Sequence, residues 1–177
     1  GQLYTEEMTI APVRAATGEI TNFVAVKQDV TERKRIEKAL LQSEEQFREL
    51  AEHIPEIFFV LALDPVRMTY VSPVYDEVTG RSRLEVYEDP AAWIAAIAEE
   101  DRERIQITYA YGLQGNPVDM EYRIIRPDGS IRHIHTRAFP VLDAKGTPAR
   151  IVGLAEDVTE QKRAEAELVK AKEEAEI

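Results

Sequence analysis

The heptapeptide Asp157-Val158-Thr159-Glu160-Gln161-Lys162-Arg163 is nearly a copy of Asp29-Val30-Thr31-Glu32-Arg33-Lys34-Arg35, which stands 128 residues earlier. At the same offset Pro12 pairs with Pro140, Val13 with Val141, Ala16 with Ala144, Gly18 with Gly146, Val24 with Val152, Glu37 with Glu165 and Leu40 with Leu168. A register kept over so long a stretch is not chance, and a period of this size indicates repeated domains. Each copy reads as a strand, a Gly turn, a second strand ending in Asp-Val-Thr-Glu, and a charged helix. Two strand-to-helix junctions therefore organise the chain.

The first copy is only a tail. Residues 3–13 alternate loosely, Ala15-Ala16-Thr17-Gly18-Glu19 supplies a turn, and Ile20 to Val26 alternates again, which predicts a hairpin. A lone hairpin is marginal in water, so residues 1–28 are expected to be the C-terminal hairpin of a preceding domain. Residues 29–54 read as a linker helix, opened by an Asp or Thr able to cap it and by Glu32 at the positive end of its dipole. Ile36, Leu40, Ser43, Phe47, Leu50 and Ile54 are spaced 4, 3, 4, 3, 4. That is a short heptad seam for a partner helix, or equally one face of a helix packed on its own domain. The capping box Ser43-Glu44-Glu45-Gln46 predicts a break and restart there. Pro55 ends the helix.

Residues 55–158 contain a complete set of elements. Ile57 to Leu63 is an apolar run of strand length, read as a strand buried in the core, with Met68 to Val71 as its hairpin partner. Ser72-Pro73 and Gly80 bracket a short helix over Val74 to Thr79. Asp89-Pro90 precedes another over Ala91 to Ala98, and a longer helix covers about Glu100 to Leu113. Strands follow at Val118 to Ile125, Ile131 to Leu142 and Ala149 to Val158, joined by Pro127-Asp128-Gly129 and Asp143-Ala144-Lys145-Gly146. Two strands, then helices, then three strands predict an antiparallel α+β domain. Residues 159–177 form a closing helix. Its Ala164, Leu168, Ala171 and Ala175 stand where Ile36, Leu40, Ser43 and Phe47 stand in the first helix.

Composition removes several functions. A formal charge of -11, with Lys and Arg interspersed among acids, argues against nucleic-acid binding. Without cysteine there is no disulfide, thiolate metal site or cysteine nucleophile. No apolar run reaches the roughly 18 residues of a membrane span, and a cytoplasmic location is expected. Gly1 stands without a preceding Met, so a piece of a longer chain is expected. His133 and His135 share one face of a strand, but no third metal ligand has recognisable spacing, and no metal is expected. Neither a Ser-His-Asp order, a phosphate-binding Gly loop nor a catalytic carboxylate pair is present, and the chain is not read as an enzyme.

The pattern resembles the PAS sensor-domain family over residues 44 to about 158, with the closing segment of a second such domain over residues 1 to 30. The resemblance rests on Tyr70-Val71-Ser72-Pro73 leading to Val78-Thr79-Gly80, on Asp89-Pro90 through Trp93 to Asp101-Arg102-Glu103-Arg104, on Arg126-Pro127-Asp128-Gly129-Ser130, and on the terminal Asp-Val-Thr-Glu. It implies a five-stranded antiparallel sheet in the order 2-1-5-4-3, with short helices over one face enclosing a cavity and signalling helices at both ends. Relatives of this subtype usually carry His-Pro-Asp where this chain has Ala98-Glu99-Glu100, which predicts a differently shaped loop. The resemblance also implies that Asp157 and Thr159, like Asp29 and Thr31, hand the last strand to an output helix.

Haem-binding relatives use a His on or near the long helix, and residues 100–113 contain none; flavin-photoadduct and thioester-chromophore relatives require a Cys. Haem and a covalent flavin adduct are therefore disfavoured, and a small ligand held non-covalently is expected. Phe58, Val60, Tyr70, Tyr75, Trp93, Ile97, Tyr109, Tyr122, Ile124, Ile134, Thr136 and Leu154 are the residues expected around it, with plain hydrophobic core as their alternative reading. The expected function is a sensory and dimerisation module of a bacterial signalling protein of histidine kinase or diguanylate cyclase type. Ile36, Leu40, Phe47 and Leu168 form the seam of a homodimer in that reading. The competing expectation is a ligand-free scaffold that only holds two chains together.

Overall fold

A computed structural model describes residues 4–175; the outermost residues of the segments 1–28 and 159–177 lie outside it. The chain forms two compact units that divide between Leu50 and Ala51. In the first, β1 (Glu6–Arg14) and β2 (Ile20–Asp29) make an antiparallel hairpin that runs into α1 (Thr31–His53). This helix is continuous through Ser43, so the expected break does not occur. A capping box ends a helix only where the backbone turns, and a mid-helix Ser without neighbouring Gly or Pro costs too little to force that. α1 stops at His53, two residues before Pro55.

The second unit carries β3 (Ile57–Leu63), β4 (Val66–Val71), α2 (Val74–Thr79), α3 (Leu84–Glu88), a 3-10 helix (Ala92–Ala96) and α4 (Glu99–Leu113). β5 (Val118–Ile125), β6 (Ile131–Leu142), β7 (Pro148–Asp157) and α5 (Thr159–Ala175) complete it. The five strands pair antiparallel in the order β4-β3-β7-β6-β5, which is the expected 2-1-5-4-3. Turn chemistry sets the boundaries. The Asp128 carboxylate accepts from both the backbone and the hydroxyl of Ser130, and Gly129 takes the positive φ of 83° that the β5–β6 turn requires. Asp143 does the same work before β7, accepting from the Lys145 and Thr147 amides.

The helix expected over Ala91–Ala98 is shorter and tighter, and α3 precedes it unannounced. The Asp89 carboxylate accepts the Ala91 amide at 2.9 Å, and the Ala98 amide leaves the turn to donate to Arg123 O at 2.9 Å. The segment thus closes against β5 before a full α-helix develops. Ile97, Ile105, Ile134, Val86 and Ser72 are the most completely buried side chains, so the core lies between one face of the sheet and these helices.

The sequence repeat is a structural one. β1 pairs with β2 from Glu6↔Asp29 to Arg14↔Ile20, and β6 with β7 from Ile134↔Asp157 to Leu142↔Pro148. Every pair lies 128 residues from its counterpart. The register shifts also coincide, at Val13/Arg14 and Val141/Leu142. In the second unit the hairpin is part of a five-stranded sheet; in the first, Met8, Ile10, Phe23, Val24 and Val26 of the equivalent strands are exposed.

Candidate functional site

Beneath the sheet lies a cavity of about 100 Å³. Ile57, Phe59 and Leu61 of β3 line it with Met68 and Val71 of β4, Tyr75 and Thr79 of α2, Val86 of α3, and Trp93 and Ala96 of the 3-10 helix. Tyr109, Gly112 and Leu113 of α4 close one side. β5 to β7 contribute Val118, Met120, Tyr122, Ile124, Ile134, Thr136, Ala138, Ile151 and Ala155, and Pro90 completes the wall.

Seven of the expected residues meet there: Tyr75, Trp93, Tyr109, Tyr122, Ile124, Ile134 and Thr136. Phe58, Val60, Tyr70, Ile97 and Leu154 do not line it. In a strand successive side chains point to opposite faces, so a one-residue error in phase inverts the whole strand. Phe58, Val60 and Leu154 sit on the opposite face of the sheet from Ile57, Phe59, Leu61, Ile151 and Ala155. The register shift between Val60 and Leu61 breaks the alternation of β4 and turns Met68 and Val71 inward in place of Tyr70. Ile97 is buried in the core beside the cavity, bridging to Ile124. One signal was available: Gly153 interrupts β7, and a Cβ there would lie 2.2 Å from the Phe59 ring, marking the inner face of both strands.

No lining residue carries a formal charge. The polar side-chain groups are hydroxyls and the Trp93 indole N–H. Tyr122 OH and Thr136 Oγ1 are hydrogen bonded at 3.1 Å, and Thr79 Oγ1 donates to Tyr75 O at 2.7 Å. Burial pushes the Tyr122 and Tyr75 phenols up to about 12, and burial also raises that of Tyr109. Trp93 packs edge-on against Tyr109 and tilted against Tyr122, each with ring centroids 5.6 Å apart. The cavity is therefore a neutral, aromatic enclosure at physiological pH.

A second arrangement joins the sheet to α5. The Asp157 carboxylate accepts from the amide and the hydroxyl of Thr159, and Thr159 Oγ1 in turn accepts the His133 amide at 2.9 Å. The Val158 amide donates back to His133 O at 2.8 Å, and Lys162 N bonds Val158 O to open the helix. Arg132 reaches Asp157 at 3.3 Å, and Lys162 of the first helical turn pairs with Glu121 of β5 at 2.8 Å. The Lys162 hydrogen bond holds the Glu121 carboxyl below its usual range. Asp29, Thr31, Val30 and Thr5 repeat the pattern in the first unit: Thr31 bonds Asp29 twice, the Thr5 amide donates to Thr31 Oγ1 at 2.8 Å, and Val30 N donates to Thr5 O at 2.9 Å. Thr5 is His133 less 128. The Thr side chain thus does more than the cap read from sequence: it fastens the helix start to the neighbouring strand.

The Asp101 mark of the sequence also acquires a role. Its carboxylate takes the Arg123 amide and Nε, both at 2.9 Å, which locks the first turn of α4 onto β5. The Arg123 hydrogen bond lowers the Asp101 carboxyl from its ordinary value. His135 Nε2 lies 2.7 Å from Asp119 Oδ1, while His133 engages Thr159 and Val158 through its backbone. Among the described residues no group of three or more His, Asp or Glu side chains is placed to hold a metal ion, and no helix is long and apolar enough to cross a membrane. Ile36, Leu40, Phe47 and Leu168 are between 46% and 60% exposed.

Residues 68–155 match the family model described as PAS fold. An uncharacterized protein of Sinorhizobium fredii is 30% identical over 87% of this chain, which spans 18% of that relative. The blue-light-activated histidine kinase of Brucella ovis is 28% identical over 94% of this chain and 35% of its own length. The chain thus spans about a third or less of these relatives. The crystal structure of a sensory box histidine kinase/response regulator from Burkholderia thailandensis superposes with a TM-score of 0.53 at 26% identity, covering 74% of this chain and 98% of that one. The family match runs from β4 to β7, which together with β3 enclose the cavity, and the domain built on this sheet belongs to the PAS family of sensor domains, which are sensory rather than catalytic.

Proposed function

We propose that this chain is the sensing segment of a longer cytoplasmic signalling protein, that it takes a small molecule non-covalently into the cavity, and that it relays occupancy to an output domain through α5. One observation carries the reading. β6 presents Thr136 to the cavity and, three residues earlier, holds Thr159 and Val158 through the His133 backbone. A displacement of Thr136 by a ligand is therefore felt at the first residue of α5 without any long-range wire. The relatives that carry histidine kinase in their names support an output of that type; a diguanylate cyclase is the other output considered. A covalent flavin adduct is set aside because the sequence has no cysteine. The hairpin of the first unit, with the register of β6 and β7, is read as the end of a preceding PAS domain.

A ligand-free dimerisation scaffold is the second reading, favoured by the exposed Ile36, Leu40 and Leu168 on helices that share one heptad phase. Native mass spectrometry of the purified protein, before and after mild denaturation, separates the two. A released small molecule supports sensing. A bare chain at twice the monomer mass supports the scaffold and removes the ligand from the proposal.

A further inference from the structure

The Tyr122–Thr136 pair does not use all its protons. Each hydroxyl brings one donor proton, and their 3.1 Å bond uses one of the two, whichever way it points. Neither oxygen has another partner among the described residues, and both side chains are buried and line the cavity. One donor is therefore left over in a wall that carries no charge and whose other polar groups are the Tyr75, Thr79 and Tyr109 hydroxyls and the Trp93 indole N–H. A buried donor left without a partner is costly, so the site favours an occupant that accepts a hydrogen bond. Volume sets the other limit. An apolar cavity of roughly 150 Å³ takes up benzene, and about 100 Å³ leaves room for a single small ring.

We propose, resting on the sensing reading above, that the cavity selects neutral one-ring molecules bearing one hydrogen-bond acceptor, an ether or a carbonyl, and that the Tyr122–Thr136 pair is the element that recognises the acceptor. Flavin and porphyrin rings are far too large for this space, and a carboxylate or ammonium would enter with no counter-charge. The recognition is redundant. Removing one hydroxyl frees the other from the pair, so a donor survives in Tyr122→Phe and in Thr136→Val, and only the double variant loses it.

Trp93 is the sole tryptophan and lines the cavity, so its emission reports occupancy. The test titrates the protein with tetrahydrofuran and with cyclopentane, rings of equal size that differ in the acceptor. The affinity ratio of the two is expected to stay within about threefold of the parent in each single variant and to fall about tenfold in Y122F/T136V, the effect of one hydrogen bond. The double variant replaces both partners by apolar isosteres, a change close to neutral for folding. If both rings bind saturably but the double variant leaves their ratio unchanged, the recognition role is overturned while the sensing reading stands. If neither ring binds, the small-molecule cavity and this inference fall together.

Discussion

Thr159 Oγ1 accepts the backbone N–H of His133 at 2.9 Å, which ties the first residue of α5 to the strand that carries Thr136. The same bond joins Thr31 to Thr5 at 2.8 Å in the first unit. Replacing Thr159 with Val keeps the shape and removes the acceptor, leaving the His133 amide unpaired at a cost of about 1–2 kcal/mol. Amide exchange at His133 and in the first turn of α5 is expected to quicken, with Thr31→Val doing the same at Thr5. Unchanged protection in both variants would show that the Asp157 and Asp29 carboxylates suffice.

The Gly153 contact predicts a coupling between stability and the cavity. A Cβ at residue 153 would lie 2.2 Å from the Phe59 ring, and that ring lines the cavity. Gly153→Ala is expected to drive Phe59 inward, to cost about 1–3 kcal/mol by overpacking, and to weaken cyclopentane uptake. Denaturant unfolding and Trp93 emission measure the two effects. A variant that is destabilised but binds cyclopentane as before would place the displaced ring elsewhere.

Most element boundaries were legible because each is written in local chemistry: Pro55, Pro73, Gly80, Asp128-Gly129 and Asp143 to Gly146 all act within a few residues, whereas the Ser72 hydroxyl caps no helix and instead accepts the Phe58 amide and donates to Glu56 O. The 128-residue repeat was legible to the level of hairpin register. The cavity wall was read only in part. Ile57 to Leu63 is apolar at every position, so its sequence contains no alternation from which to choose a face. In β4 the phase is reset by a register shift against β3, a property of the pair rather than of either strand. α3 has no side-chain cap and only five residues. Where alternation survived, as in Tyr122/Ile124 and Ile134/Thr136, the face was read correctly.

Alkaline stability follows from the buried phenols. The Tyr122 and Tyr75 phenols titrate near 12 in the folded domain and near 10 when unfolded. Below pH 10 both states hold these protons, and the phenols add no pH dependence. Between 10 and 12 the unfolded chain releases protons that the folded one keeps, so stability falls with rising pH. Tyr122→Phe is expected to flatten this decline in denaturant midpoints measured across the window. An equally steep decline in the variant would assign it to other groups.

At low pH the sign reverses for Asp101. Arg123 holds its carboxyl below the ordinary 3.8, so the contribution is present above that value and is lost as pH falls through the folded one. Asp101→Asn is expected to destabilise by about 1–2 kcal/mol at neutral pH, the scale of a charge-assisted hydrogen bond. Its difference from the parent should shrink below pH 4, measured by urea unfolding. A difference that holds constant through that range would mean that the backbone bond from Arg123, which an amide oxygen also accepts, supplies the whole effect.

The seam is the prediction on which self-association rests. Leu40 and Leu168 occupy equivalent positions on two helices of the same heptad phase, and each is more than half exposed in the single chain. A coiled-coil seam loses stability when a charge replaces an apolar knob. Leu40→Glu and Leu168→Glu are each expected to lower the apparent mass in sedimentation, with a larger loss in the pair. Glu at Glu37 or Glu165, one turn away, adds like-charge repulsion along the helix and deepens the effect. A mass identical to the parent for the double variant would remove both helices from the interface and leave the dimer without its proposed seam.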